Sequence, residues 1–286
     1  MIIDIVVPSC LALMMVGLGM TLVPDDFKRV LIYPKAVAVG LAFQMIVLPL
    51  VGFGLANLLP LLPKIAVGLM LIAACPGGVA SNVITHLAKG DTALAVTLTV
   101  ISGFFALITI PLIVSFSLLH FMGADSTVKL PLLRTALQVA ALTVPTVIAG
   151  MAIKAKAPNF ADRTKKFVSI GGLLFLVAIV IAVAVDEREM LAREGLIVGP
   201  ATLALCVATM FLGYLGARLF KINTPRSVTI AIGTGFQNST LALVIATSFM
   251  HDPTIAIPPA IYTVVMFTAA FVVIGYRNLR NEGQNA

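Results

Sequence analysis

Residues 75–90 read CPGGVASNVITHLAKG, directly after the apolar run IAVGLMLIAA at 65–74. The run has the composition of a segment that sits in lipid, and the stretch after it does not. Proline removes a backbone donor and clashes with the preceding helical turn. Each glycine costs a helix interior roughly 1 kcal/mol against alanine. Pro76-Gly77-Gly78 therefore predicts that the helix unwinds at membrane depth. Unwound backbone survives there only when it is buried in protein or lines a wet cavity. The polar pair that follows, Ser81 and Asn82, would serve such a cavity.

The whole chain suits that reading. Of 286 residues, 60% are hydrophobic and 11% charged, against about 25% charged in soluble domains. Mean hydropathy is +1.09. The expected class is an all-α polytopic membrane protein forming one transporter unit over residues 1–286, with the lipid bilayer as its solvent. Nine apolar spans are predicted, at 3–22, 36–58, 64–88, 92–119, 131–153, 167–185, 195–217, 227–249 and 255–276. The N-terminus lacks a basic region before its apolar run, so it reads as a first span rather than a cleaved signal. Net charge is +7. The basic residues lie between spans, which speaks for topology and against nucleic acid. On alternate sides of the nine spans, one side collects 14 of the 19 Lys and Arg residues. That asymmetry predicts insertion in the cell inner (cytoplasmic) membrane with the N-terminus outside and the C-terminus cytoplasmic. The three cysteines lie in apolar stretches without metal-ligand spacing.

A second span is interrupted in the same manner. Residues 227–249 carry Gly233-Thr234-Gly235 and then Phe236-Gln237-Asn238-Ser239. The two interrupted spans lie five apart and so run in opposite directions. A pair of Gly/Pro-broken spans at corresponding places in two halves points to inverted repeats around a transport site. Each break exposes a helix N-terminus that favours anions. It also frees carbonyls that, with side-chain oxygens, can hold a monovalent cation. Ser81, Asn82, Gln237, Asn238 and Ser239 supply such oxygens, as does Gln44, an isolated amide in the second span that could equally bond a neighbouring helix. Thr92, Ala95, Thr99 and Ser102 form a weakly polar face that either completes the site or simply packs. His86 lies five residues past Ser81, about 140° around a helix. It reads as a lining or interfacial residue, not a partner in a Ser-His dyad. The spans hold no HExxH, no acid pair and no GxSxG, so an intramembrane enzyme is a remote alternative.

The segments CPGGVASNVITHLAKGD, GTGFQNSTLAL and MMVGLGMTLVPDDF resemble the bile acid:sodium symporter family, above all its bacterial members. The likeness runs along nearly the whole chain. It implies two crossed discontinuous helices in a core domain, 36–119 and 195–276, and a panel domain, 1–24 and 131–185. The implied substrate cavity lies between them, at Pro76, Gly77, Gly78, Asn238, Ser239 and His86. The implied cation ligands are Ser81, Asn82 and Thr99 in one site. In the other they are Gln44 and Gln237, with backbone carbonyls near Thr234 and Phe236. Two positions depart from the family pattern: a serine ligand is Ala95 here, and the glutamate shared by both sodium sites is Gly233. Buried charge without pairing costs several kcal/mol, so sodium coupling is expected to be reduced or altered. The resulting expectation is a secondary transporter of a small organic anion, working by alternating access. A facilitated or proton-coupled carrier is the alternative. No cofactor other than Na+ is implied, and no obligate protein partner.

Overall fold

The computed structural model describes residues 2–22, 32–123 and 132–285. Among these the chain is helical, with no strand. The helices are α1 (Ile2–Thr21), α2 (Pro34–Leu58), α3 (Pro63–Ala74), α4 (Val79–Leu87), α5 (Thr92–Met122) and α6 (Leu132–Lys156), followed by α7 (Pro158–Asp186), α8 (Arg188–Leu219), α9 (Thr224–Gly235), α10 (Ser239–Phe249) and α11 (Pro253–Asn285). Five segments are long and apolar enough to cross a membrane: Pro34–Leu58, Thr92–Met122, Ala136–Lys156, Arg188–Leu219 and Pro253–Gly275. The protein is thus a multi-pass membrane protein.

Several helices run past the apolar spans that announce them. Those expected at 167, 195 and 276 instead begin at Pro158, begin at Arg188 and end at Asn285. Hydropathy marks the stretch that fits hydrocarbon, whereas the hydrogen-bonded helix continues into charged sequence beyond it. Residues 23–31, including all of VPDDF and the basic Lys28 and Arg29, and Lys129 in the 124–131 segment, lie outside the described residues.

Helix starts follow local chemistry. Pro63 and Pro225 occupy first turns, where the missing N–H has no partner to lose. The side chains of Asp91, Asn223 and Asn238 accept from Leu94 N (3.0 Å), Arg226 N (3.2 Å) and Leu241 N (3.0 Å). Each satisfies one orphan donor of a helix N-terminus. Helix α2 carries a π-helical turn at Phe43–Val47, just before Pro49. Helix α10 has another, Ile245–Phe249.

The helices pack in two groupings. Helix α1 packs on α6 and α7. The α1–α6 crossing is close because Gly19 and Gly150 face each other. A Cβ on Gly19 would collide with Val147 O, and one on Gly150 with Val16 O. In the second grouping α3 packs on α5 and α11, and α8 packs on α9 and α11. The buried apolar core lies mostly here, around α3, α10 and the start of α11.

Candidate functional site

Both broken spans unwind where the sequence changes character, and the two breaks meet. Helix α3 ends at Ala74 and α4 begins at Val79; α9 ends at Gly235 and α10 begins at Ser239. Between them Gly77 and Gln237 form an antiparallel bridge. Gly78 N donates to Phe236 O (3.1 Å), and Asn238 N donates to Pro76 O (2.8 Å). Backbone groups stripped of helical partners at each break are thereby satisfied by the other break, which buried amides and carbonyls require. The two glycines permit this approach. A Cβ on Gly78 would stand 3.1 Å from Gln237 O.

Two sets of oxygens gather at the crossing. In the first, Ser81 and Asn82 lie in the first turn of α4, and both are buried. Ser81 Oγ donates to Gly78 O (2.7 Å). Thr99 Oγ1 on α5 lies 3.2 Å from Asn82 Oδ1 and 2.9 Å from Ala95 O. Ala95 is itself buried and brings no side-chain oxygen. In the second set, Gln237 Nε2 donates to Thr234 O (2.8 Å) and lies 3.3 Å from Gly233 O. Its Oε1 is buried without a partner, and so are both amide atoms of Gln44. Gln44 sits in the π-helical turn of α2. Gly77 joins the sets: a Cβ there would lie 2.9 Å from Gln44 Nε2, 3.6 Å from Thr99 Oγ1 and 3.9 Å from Phe236 O.

Buried polar atoms without partners are uncommon and call for a reason. Here three such atoms belong to two amides beside one crossing. An amide oxygen with both lone pairs idle is a fitting ligand for a hard monovalent cation. No described acid stands among them. Asp91 and Asp252, an acid half-buried and an acid buried, are committed to ion pairs with Arg226 (3.1 Å) and Lys64 (2.7 Å).

Gly233 lies inside α9, is half-buried and has no left-handed backbone. The nearest atom to a Cβ there is Leu98 Cδ1, at 3.9 Å. A Cβ at this position would thus make only an ordinary van der Waals contact.

A cavity of about 100 Å³ opens beside the crossing, between α1, α5 and α6. Pro76, Gly77, Thr99 and Asn238 form its polar end, and Met15, Phe104 and Val147 are among its apolar walls. Gly78 and Ser239 are buried behind it. Ser239 Oγ faces Met266 Sδ at 3.8 Å. His86 is exposed near the far end of α4, nine residues past Gly77 of the bridge and outside the cavity wall.

Two supporting residues escape sequence reasoning. Tyr262, wholly buried on α11, donates its hydroxyl to Gly235 O (2.9 Å), and Cys206 Sγ on α8 approaches the same carbonyl at 3.6 Å. Together they hold a carbonyl released by the α9 break. An isolated tyrosine in an apolar span was the available signal.

Crossed broken helices, a polar crossing and an adjoining cavity define a class, the polytopic carriers with a site at the helix breaks. The chain belongs to the Sodium Bile acid symporter family, whose sequence model matches residues 8–194. It is 37% identical over 254 residues to the uncharacterized sodium-dependent transporter YocS of Bacillus subtilis (strain 168), covering 89% of this chain and 77% of that one. Identity is 34% over 269 residues to the probable sodium/metabolite cotransporter BASS1, chloroplastic, of Arabidopsis thaliana, covering 93% and 65%. It is 30% over 280 residues to the ileal sodium/bile acid cotransporter of Homo sapiens, covering 96% and 79%. The protein is accordingly a membrane transporter and not an enzyme.

Proposed function

We propose that this chain carries a small organic anion across the cytoplasmic membrane by alternating access, coupled to sodium more weakly than a site with a buried carboxylate would allow. The observation that carries the reading is a pair of buried amides beside the crossing, in which both polar atoms of Gln44 and the Oε1 of Gln237 lack partners. They supply neutral oxygens, and Gly233, where the family resemblance implies a glutamate, has room for a Cβ but brings no charge. Relatives named as sodium-dependent or sodium/metabolite carriers support sodium as the ion. The relative named for bile acids supports an anionic, largely apolar substrate.

Inverted repeats, with α2–α5 answering α8–α11, make up the proposed core, residues 36–119 and 195–276. The panel is 1–24 and 131–185, and the chain crosses the membrane nine times. The cavity between α1, α5 and α6 lies where panel and core would part. The substrate's anionic group would meet the N-terminus of α4, where N–H groups and the helix dipole favour negative charge. Its apolar body would contact Met15, Phe104 and Val147. Ser81, Asn82 and Thr99 are the proposed ligands of one cation. Gln44 and Gln237, with the carbonyls of Thr234 and Phe236, are those of the other. Each stands on neutral dipoles.

The orientation proposed has the C-terminus cytoplasmic. Lys89, Arg218, Lys221 and Arg226 lie where α4 and α8 finish and α9 begins, and Arg277 of α11 reaches the same end through Ala88 O, which supports it.

The test is uptake of radiolabelled organic acids into proteoliposomes, with and without an inward sodium gradient. Stimulation that appears only at high sodium, for at least one small organic anion, is the expected result. Uptake indifferent to sodium and driven by a proton gradient would replace the ion. Absence of uptake for every anion tested would reject the substrate class.

A further inference from the structure

A cavity larger than the one at the crossing lies away from it. A groove of about 800 Å³ runs between α8 and α11, with α9 as its floor. Its walls are Val207, Phe211, Val265 and Ala269, and Val228 and Ile232 close the bottom. At one end stand Tyr214 and Arg277. Thr268, the other polar side chain on the wall, spends its hydroxyl on Val264 O of its own helix (2.9 Å). The groove is therefore apolar along its length and polar at a single end.

That shape is matched to a membrane. Val264 and Arg277 are thirteen residues apart on α11, about 20 Å along a helix. One leaflet of a bilayer contributes roughly half of a 30 Å hydrocarbon core. The groove thus has the depth of one leaflet and its headgroup layer. Arg277 is fixed there, because its Nε donates to Ala88 O at the end of α4 (3.2 Å). Its two amino groups remain as donors, and a guanidinium matches a phosphate with two parallel bonds. Lys89, one residue after that carbonyl, adds an exposed cation beside it. Basic pockets between helices at the membrane surface attract anionic headgroups.

We propose that this groove is a binding site for one anionic phospholipid, with its phosphate on Arg277 and Tyr214 and an acyl chain lying along α8 and α11 over α9. The bound chain would back Ala231 and Ile232, the residues directly before Gly233. It would thereby hold the first half of the second broken helix in place from the side opposite the crossing.

The experiment compares phosphatidylglycerol with phosphatidylcholine of identical acyl chains. Purified, delipidated full-length protein is titrated with each, and binding is read by native mass spectrometry and by Tm. Phosphatidylglycerol is expected to stay bound and to raise Tm where phosphatidylcholine does not. Arg277→Gln is expected to weaken phosphatidylglycerol binding about fivefold, the weight of one interfacial cation. Ala269→Phe, which fills the groove without touching Arg277, is expected to abolish retention of either lipid. Equal retention and equal Tm shifts for both lipids would overturn the proposal, as would Arg277→Gln binding phosphatidylglycerol like wild type. A dimer that Ala269→Phe dissociates, with no lipid retained, would assign the groove to a second copy instead.

Discussion

Lys64 Nζ stands 2.7 Å from Asp252 Oδ2, joining the first turn of α3 to the residue just before α11. The opposite end of the crossed pair carries the counterpart. Arg226 in the first turn of α9 meets Asp91, the residue just before α5, at 3.1 Å. In both, a Pro-cation pair opens one broken helix, and an acid opens the helix that follows the other. Asp91 also accepts from Leu94 N, and Asp252 from Thr254 N (3.2 Å). The second brace is stitched further: Asp91 N donates to Thr229 Oγ1 (2.8 Å), and the Arg226 guanidinium lies 3.7 Å from the Tyr33 ring centroid. Each broken helix is thus anchored to the far end of the other.

Asp252 has 8% of its side chain exposed and Lys64 has 45%. Losing the lysine strands a buried carboxylate, whereas losing the acid frees a cation that water already reaches. Lys64→Met is therefore expected to lower stability by about 1–3 kcal/mol, and Asp252→Asn by less. The double variant should recover most of the lysine's loss. Thermal unfolding of the three variants checks this; equal and additive losses would contradict the asymmetry.

Gln44 makes no hydrogen bond through its buried amide. Removing both polar atoms leaves nothing unpaired behind, so Gln44→Leu is expected to be neutral or slightly stabilising without sodium. Sodium-dependent uptake should fall at least tenfold. Melting curves with choline or sodium, alongside uptake, separate the two effects. A large drop in Tm in choline would assign Gln44 to the fold instead.

Gly233→Glu is expected to strengthen sodium binding. A Cβ fits there with 3.9 Å to Leu98 Cδ1, and the helical backbone accepts any L residue. A carboxylate beside neutral oxygens supplies charge that the site lacks, and each tenfold gain in affinity adds about 1.4 kcal/mol of sodium-dependent stabilisation. The measurement is the sodium-induced Tm shift in wild type and variant. Strong stabilisation of the wild type would show that neutral oxygens suffice.

Gly150→Ala is expected to cost about 1–3 kcal/mol, since the added methyl meets Val16 O, a backbone atom that cannot turn aside. Gly171→Ala on α7 has open space and serves as the contrast. It should be neutral or gain up to about 1 kcal/mol, as alanine does in a helix interior. Similar melting temperatures for the two variants would mean that the α1–α6 contact is looser than described.

Tyr262→Phe removes the hydroxyl from Gly235 O and leaves that carbonyl to the Cys206 thiol. A loss of about 1–3 kcal/mol is expected, the cost of an under-satisfied buried group. Uptake should fall with it, because this carbonyl borders the break. Unchanged stability and uptake in Tyr262→Phe would remove Tyr262 from the support of the site.

By itself the sequence determined the solvent, the helical class and the places where two helices stop. Those properties are local: hydropathy over a window says what the segment dissolves in, and Pro76-Gly77-Gly78 or Gly233-Thr234-Gly235 changes the cost of helix at its own position. It also named residues that the fold brings together, because Ser81, Asn82, Gln237 and Asn238 directly follow the breaks. It could not show that Gly77 would pair with Gln237, or that Lys64 and Arg226 would each find an acid from the other half. Nor could it turn Gln44 toward Gly77, an orientation that depends on a π-helical turn before Pro49. It ranked His86 with the cavity, whereas the helix carries that ring to an exposed face. Those outcomes depend on how helices distant in sequence pack together. Only the tertiary structure decides them, because a buried backbone group at a break must find its partner wherever the other chain segment presents one.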